Sequence, residues 1–394
     1  MRIIGTKYCG HDSALCLLDT EKKTIFAMST ERVTRIKHDF IDITPILSEY
    51  KFDSVDYVAH SYNDFEDKGH DGELREKMTY NKDIEKAIRL IVKPTYIKDL
   101  RISRAEKNRF IFKSLVANFS AVKSYYGAKY RRALVKETPE GNRIAFTNYI
   151  KNNFNKYKLH PKEILFYEHH LCHAIPSYFL SPFNGSEALA LTIDGQGDGF
   201  FSKLYSYKSD TEYELIGESS ADFMGSGDRY LSIGRIYNYF TQAMDLHPNS
   251  DEGKVEALAA FGKADRGLLT KLKDATQINK ETLSIHYDVE KIIPFYDIDY
   301  LKEQRAKMGD ENFCAVVQDY LEDTIVKYLN FAYEKYPVKN LCLSGGVAAN
   351  IIMSLNIYEK TNFKNIYVLP PMGDDGLAIG SAILTALEMG EDVS

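Results

Sequence analysis

Residues 188–207, Ala-Leu-Ala-Leu-Thr-Ile-Asp-Gly-Gln-Gly-Asp-Gly-Phe-Phe-Ser-Lys-Leu-Tyr-Ser-Tyr, decide the fold. Ala188–Ile193 is an apolar run of strand length, Asp194-Gly195-Gln196-Gly197-Asp198-Gly199 is a glycine-rich acidic turn, and Phe200–Tyr207 is a second run. The N-terminus has the same layout. Arg2–Lys7 is apolar and β-prone, Tyr8–Asp12 is a turn containing Gly10, and Ser13–Asp19 and Lys23–Ser29 are two further short runs. Each meander is followed by strands that run into turns and helices. Ile164–Tyr167 leads into His169, Asn340–Leu343 into Ser344-Gly345-Gly346-Val347-Ala348-Ala349-Asn350, and Ile366–Leu369 into Pro370-Pro371-Met372-Gly373-Asp374-Asp375-Gly376. A small-residue helix is predicted at about 377–389, and Phe313, Val316, Val317, Tyr320, Leu321, Ile325 and Leu329 fit one face of another. Two meanders with similar turns predict a duplicated, two-lobed α/β fold that binds its ligands between the lobes. Lobe I is expected over 1–187 and lobe II over 188–370, with 371–394 returning to the cleft and lobe I.

Residues from about 83 to 157 read as helical and polar, and about 64–157 as a helical insertion in lobe I. Between Lys93 and Lys136 twelve Lys/Arg face two acidic residues, Asp99 and Glu106, a local net of +10 in a chain of net charge −6. Such a stretch is either a solvated helical surface or a face for an anionic partner such as a nucleotide or nucleic acid. No run approaches the roughly 20 apolar residues of a membrane-spanning helix, and Met1–Gly5 reads as a first strand without a signal peptide's apolar stretch. Cys9, Cys16, Cys172, Cys314 and Cys342 are odd in number and show no CxxC spacing, which predicts reduced thiols and a cytoplasmic protein.

The strongest chemical signal is His169-x-x-x-His173. On a helix, residues four apart share a face, so two imidazoles can bind one metal ion. His170 stands where a zinc protease of the HExxH kind needs Glu, and Pro176 is expected to kink the helix without disturbing its first turn. Taken alone, the spacing is more often two structural histidines. Asp374 is the best third ligand, because its glycine-flanked loop lies between a strand and a helix N-terminus; Asp375 is an equally acidic neighbour. Ser344-Gly345-Gly346 allows close backbone approach at a helix start but is no Walker A loop, since no Gly-Lys-Ser/Thr follows. His11-Asp12 offers a base or hydrogen-bond donor, and Glu31-Arg32-x-x-Arg35-x-Lys37 a cluster of cations for a phosphate or carbamoyl oxygen.

In their order along the chain, His11-Asp12, Glu31-Arg32-Val33-Thr34-Arg35-Ile36-Lys37, His169-His170-Leu171-Cys172-His173-Ala174, Asp194-Gly195, Asp251-Glu252-Gly253-Lys254-Val255, Ser344–Asn350 and Gly373-Asp374-Asp375-Gly376 form one series. It resembles the N-terminal domain of the NodU/CmcH-type O-carbamoyltransferases and, more distantly, the tRNA threonylcarbamoyl transferases of the same fold. The resemblance implies the two-lobed actin-like ATPase and sugar-kinase fold. It also implies a reaction in which carbamoyl phosphate and ATP give carbamoyladenylate, whose carbamoyl group passes to a hydroxyl of a sugar, nucleoside or natural-product acceptor. His169, His173 and Asp374 would hold iron or a similar divalent metal, with manganese, zinc and magnesium left open. His11 and Lys37 would contact the carbamoyl group and Asp194 would lie near metal and acceptor. Asp12, Arg35, Gly195, Lys254, Ser344, Gly345, Gly346 and Asn350 would line the substrate and nucleotide. Family members usually carry a further YrdC-like domain that makes the adenylate. The chain ends at Ser394, so a separate adenylate-forming partner is expected. A rival reading is a regulatory subunit that keeps the nucleotide fold without transferring anything; three metal-type ligands together argue against it.

Overall fold

A computed structural model describes residues 1–8, 12–37, 42–62, 139–210, 212–222 and 230–393. His11, the basic stretch 93–136 and most of the expected insertion lie outside them; the end of that insertion, Pro139–Lys156, is helix α1.

Two five-stranded mixed sheets carry the chain. The first has β1 (Arg2–Lys7), β2 (Ala14–Asp19), β3 (Thr24–Ser29), β4 (Tyr57–His60) and β5 (Glu163–Phe166), in the order β3-β2-β1-β4-β5. The second has β6 (Ala188–Gly197), β7 (Phe200–Tyr207) and β8 (Tyr213–Ser220); after a hairpin of β9 (Thr276–Asn279) and β10 (Ser284–Tyr287) come β11 (Asn340–Ser344) and β12 (Asn365–Val368), in the order β12-β11-β6-β7-β8. Read from the other edge, the second order repeats the first. In both sheets the leading strand pairs antiparallel with its hairpin partner and parallel with the next long-range strand. The duplication inferred from the two meanders is therefore present in the pairing itself. β4 and β8 carry no clear signal of their own in the sequence, and the pattern is incomplete without them.

Helix α2 (His169–Phe179) and the last helix, Leu377–Glu388, lie between the sheets. Their buried residues, among them Cys172, Ile175, Tyr178, Leu377, Ala382 and Ile383, join Ile3, Ala14 and Cys16 of the first sheet and Ala188, Ala190 and Tyr205 of the second in one core. Ten of the eleven α2 residues are buried, so this helix is held by packing and not by an amphipathic surface stripe. Pro176 removes the N–H that would meet the Cys172 carbonyl. Gly380 of the last helix backs onto that carbonyl so closely that a Cβ would collide with it. Two further cores, a larger one around Phe240, Phe313 and Tyr320 on the second sheet and a smaller one around Tyr8, Phe146 and Phe154 on the first, stabilise the outer faces. No described helix is long and apolar enough to cross a membrane, and Cys16, Cys172, Cys314 and Cys342 are buried free thiols.

Candidate metal centre

Glu168 starts α2 by accepting a hydrogen bond from the Leu171 amide at 2.6 Å, and the His169 amide donates to Asp198 Oδ2 at 2.8 Å. The first turn then presents three histidines with two different jobs. His170 turns to the second sheet. Its Nε2 lies 3.0 Å from the Phe200 carbonyl and its Nδ1 2.8 Å from the Thr192 hydroxyl. A carbonyl only accepts, so Nε2 carries a proton; burial holds the ring's pKa down at about 4, which keeps it neutral near pH 7. His169 and His173 face the other way.

Two carboxylates from distant parts of the chain meet them. The β6–β7 register shifts between Ile193 and Gly197, so Asp194 leaves the ladder on a bulge. Its Oδ2 lies 3.1 Å from His173 Nε2 and 3.7 Å from His169 Nε2. Asp374, in the short turn before the last helix, brings Oδ1 to 3.7 Å from both imidazoles. Ligand atoms of all four residues lie within 4.8 Å of one another.

The surroundings orient these groups. Lys7 Nζ, at the end of β1, lies 2.8 Å from Asp374 Oδ2. The Gly195 amide donates to Asp194 Oδ1 at 2.6 Å and the Gly346 amide to Asp194 Oδ2 at 3.3 Å. The Ser344 hydroxyl donates to the His173 carbonyl at 2.9 Å. Gly197 packs so tightly on the His169 ring that a Cβ would overlap it. Burial alone would lower the His173 pKa, but Asp194 and Asp374 outweigh it and raise it to about 9. Burial alone would raise Asp194, but the two histidines hold it well below the usual carboxylate range. The pocket therefore attracts positive charge.

Two nitrogen and two oxygen donors suit a borderline divalent cation such as Fe(II), Mn(II) or Zn(II). His169 Nε2 is buried and has no hydrogen-bond partner among the described residues, an arrangement that fits a metal ligand better than a structural histidine. Asp374, not Asp375, points into the cluster. Asp375 faces Asp12, Asp374 and Glu31, and burial with these charges pushes its carboxyl up to about 6.

The other expected residues are spread more widely. Ser344 is fully buried and bonded to the His173 backbone, so it supports the histidine–carboxylate cluster and offers no hydroxyl to a ligand. Asn350 is likewise committed: its side-chain oxygen caps the helix Ile351–Lys360 and its amide exchanges hydrogen bonds with Gln318. Lys37 is exposed and donates to the distant Ser250 carbonyl at 2.8 Å, and Lys254 pairs with Asp251 at 2.9 Å. Arg35 is exposed at a left-handed helix end, with φ 58°. Lys7 carries no signal of its own in the sequence, because one lysine at a strand end looks like any solvated terminus.

The model of the carbamoyltransferase N-terminus family matches residues 2–383. The chain belongs to that family. An uncharacterised protein of Methanocaldococcus jannaschii is 41% identical over 410 residues, covering all of this chain and 64% of that protein. The nodulation protein NolNO of Sinorhizobium fredii is 27% identical over 279 residues, covering 69% of this chain and 39% of NolNO. The chain thus spans less than two thirds of the length of these relatives. Among solved structures, full-length HypF in its phosphate- and nucleotide-bound form covers the whole chain and 56% of HypF at 12% identity, with a TM-score of 0.47.

Proposed function

We propose that this carbamoyltransferase-family chain is an O-carbamoyltransferase of the actin-like ATPase and sugar-kinase fold, with lobes over 1–187 and 188–370 and residues 371–394 returning to the cleft. In this reading it moves the carbamoyl group of carbamoyladenylate, formed from carbamoyl phosphate and ATP, to a hydroxyl of a sugar, nucleoside or natural-product acceptor. The observation that supports it best is the convergence of His169, His173, Asp194 and Asp374 between two sheets of identical strand order.

The acceptor oxygen attacks the carbamoyl carbon and AMP leaves with the electrons of the broken bond. The hydroxyl proton passes to His11, which the family resemblance assigns to the carbamoyl group. Iron(II), or a similar divalent cation held by the four-residue cluster, would supply Lewis-acid stabilisation of developing oxygen charge. Lys7 and the Gly195 and Gly346 amides keep the two carboxylates aimed. His170 locks the helix that carries the imidazoles to the second sheet.

The test uses synthetic carbamoyladenylate and a panel of sugar, nucleoside and aminoglycoside acceptors. Carbamate ester and AMP are expected in equal amounts from the wild type, and neither from His169→Ala or after chelation. AMP release at the rate of solvent hydrolysis with every acceptor, in metal-loaded protein, would remove the transferase reading.

A further inference from the structure

The helix Ile233–Ala243 begins against the Asp194–Gly195 bulge. Gly234 makes the close approach: a Cβ there would lie 2.9 Å from the Asp194 carbonyl oxygen and 3.0 Å from the Gly195 nitrogen. Ser232 ties the two pieces together. Its hydroxyl donates to the Gly195 carbonyl at 2.6 Å and accepts from the Arg235 amide at 3.0 Å, while the Ser232 amide donates to the Tyr296 hydroxyl at 3.0 Å. Arg235 is thereby set over the bulge, its Nε 3.7 Å from the place a Gly195 side chain would start.

That Nε is buried and finds no hydrogen-bond partner among the described residues. Arg305 shows the ordinary outcome, with its guanidinium shared between Asp245 and Asp310. A buried donor without an acceptor is costly, and native folds keep few of them. Here the donor lies against the Asp194–Gly195 bulge, beside a glycine that has no side chain to meet it.

We infer that Arg235 binds a phosphate oxygen of the nucleotide-activated carbamoyl donor. The inference rests on the proposed transfer from an adenylate. Of the two reactants, the hydroxyl acceptor needs no countercharge, whereas the donor is an anion approaching a pocket that already holds Asp194 and Asp374. A planar guanidinium matches a phosphate's oxygens and offsets that repulsion. Lys7, the cation in direct contact with the cluster, is committed to Asp374 at 2.8 Å.

Calorimetric titration of metal-loaded protein with AMP, a non-hydrolysable carbamoyladenylate analogue and uncharged adenosine tests this. Arg235→Ala and Arg235→Gln should weaken both phosphate-bearing ligands by roughly 10–100-fold and leave adenosine affinity and metal content unchanged. Arg235→Lys should recover part of the loss, and the KM for the acceptor should not move. Equal affinity of wild type and Arg235→Ala for AMP overturns the inference, as does a parallel loss of adenosine binding, which marks a structural role. Wild type that binds metal but neither adenylate ligand would instead overturn the donor reading beneath it, a result distinguishable from the other two because it needs no variant.

Discussion

Lys7 Nζ at the end of β1 lies 2.8 Å from Asp374 Oδ2, tying the first strand of the chain to the turn that enters its last helix. Both side chains are largely buried, at 18% and 9% exposure. Removing one partner of such a pair leaves a charge with poor solvation. Lys7→Met should therefore lower unfolding free energy by about 1–3 kcal/mol in chelator, after discounting for partial exposure. Denaturant titration reads this directly, and a loss under about 0.5 kcal/mol would mean the pair is an incidental surface contact.

The three histidines of α2 should separate cleanly. His169→Ala removes a buried imidazole whose Nε2 has no hydrogen-bond partner among the described residues, so bound metal should fall sharply while the metal-free protein loses less stability than His170→Ala does. His170→Ala deletes the bonds to Phe200 and Thr192 and should cost about 2–4 kcal/mol while metal is retained. Elemental analysis beside thermal unfolding distinguishes them; metal loss in His170→Ala with wild-type stability would reverse the assignment.

Gly197→Ala tests the cradle of His169. The added Cβ overlaps the ring, so either the ring or the loop must shift. Divalent metal affinity should fall by at least about tenfold, the scale of losing an orienting contact. A competition titration giving wild-type affinity would show that the loop yields and the ring stays.

His60 supplies a pH test away from the site. It is 2% exposed, its Nδ1 donates to the Thr6 carbonyl at 3.1 Å, and the Phe146 and Phe166 rings flank it. Burial, with help from the Lys7 charge, lowers its pKa from 6.5 to about 3. The unfolded chain therefore binds a proton that the folded chain refuses. His60 costs nothing above pH 6.5, and stability falls as pH drops from 6.5 towards 3. His60→Asn should flatten the acid slope of the unfolding free energy by up to one proton, leaving the part due to His170. Parallel slopes in variant and wild type would show that His60 is protonated in the fold.

Much of the architecture was legible because its signals are local. Strand β1 and the strand from Phe200 to Tyr207 follow from apolar runs bounded by turns, and the small-residue composition of 377–388 marks a tightly packed helix. The i, i+4 spacing of His169 and His173 is also local, since one helix turn puts both rings on one side. The sequence likewise marked Asp194 and Asp374 as acidic residues in glycine-rich turns.

Tertiary structure alone decided the rest. Asp374 and Asp375 are equivalent in sequence, and the turn before the last helix selects between them by aiming one at the imidazoles and the other at Asp12 and Glu31. His170 belongs to the same histidine run as His169 and His173, yet its direction is set by Thr192 and Phe200 on the second sheet. Ser344 reads as a ligand-facing loop residue, but packing turns its hydroxyl to the His173 backbone. Lys7 and Arg235 acquire meaning only when β1 reaches the Asp374 turn and the Ser232 cap reaches the Asp194 bulge. The physical reason is the same in each case. Periodicity and turn chemistry act over a few residues, whereas the direction of a side chain in a site assembled from distant segments is set by the packing of helices and sheets far apart in sequence.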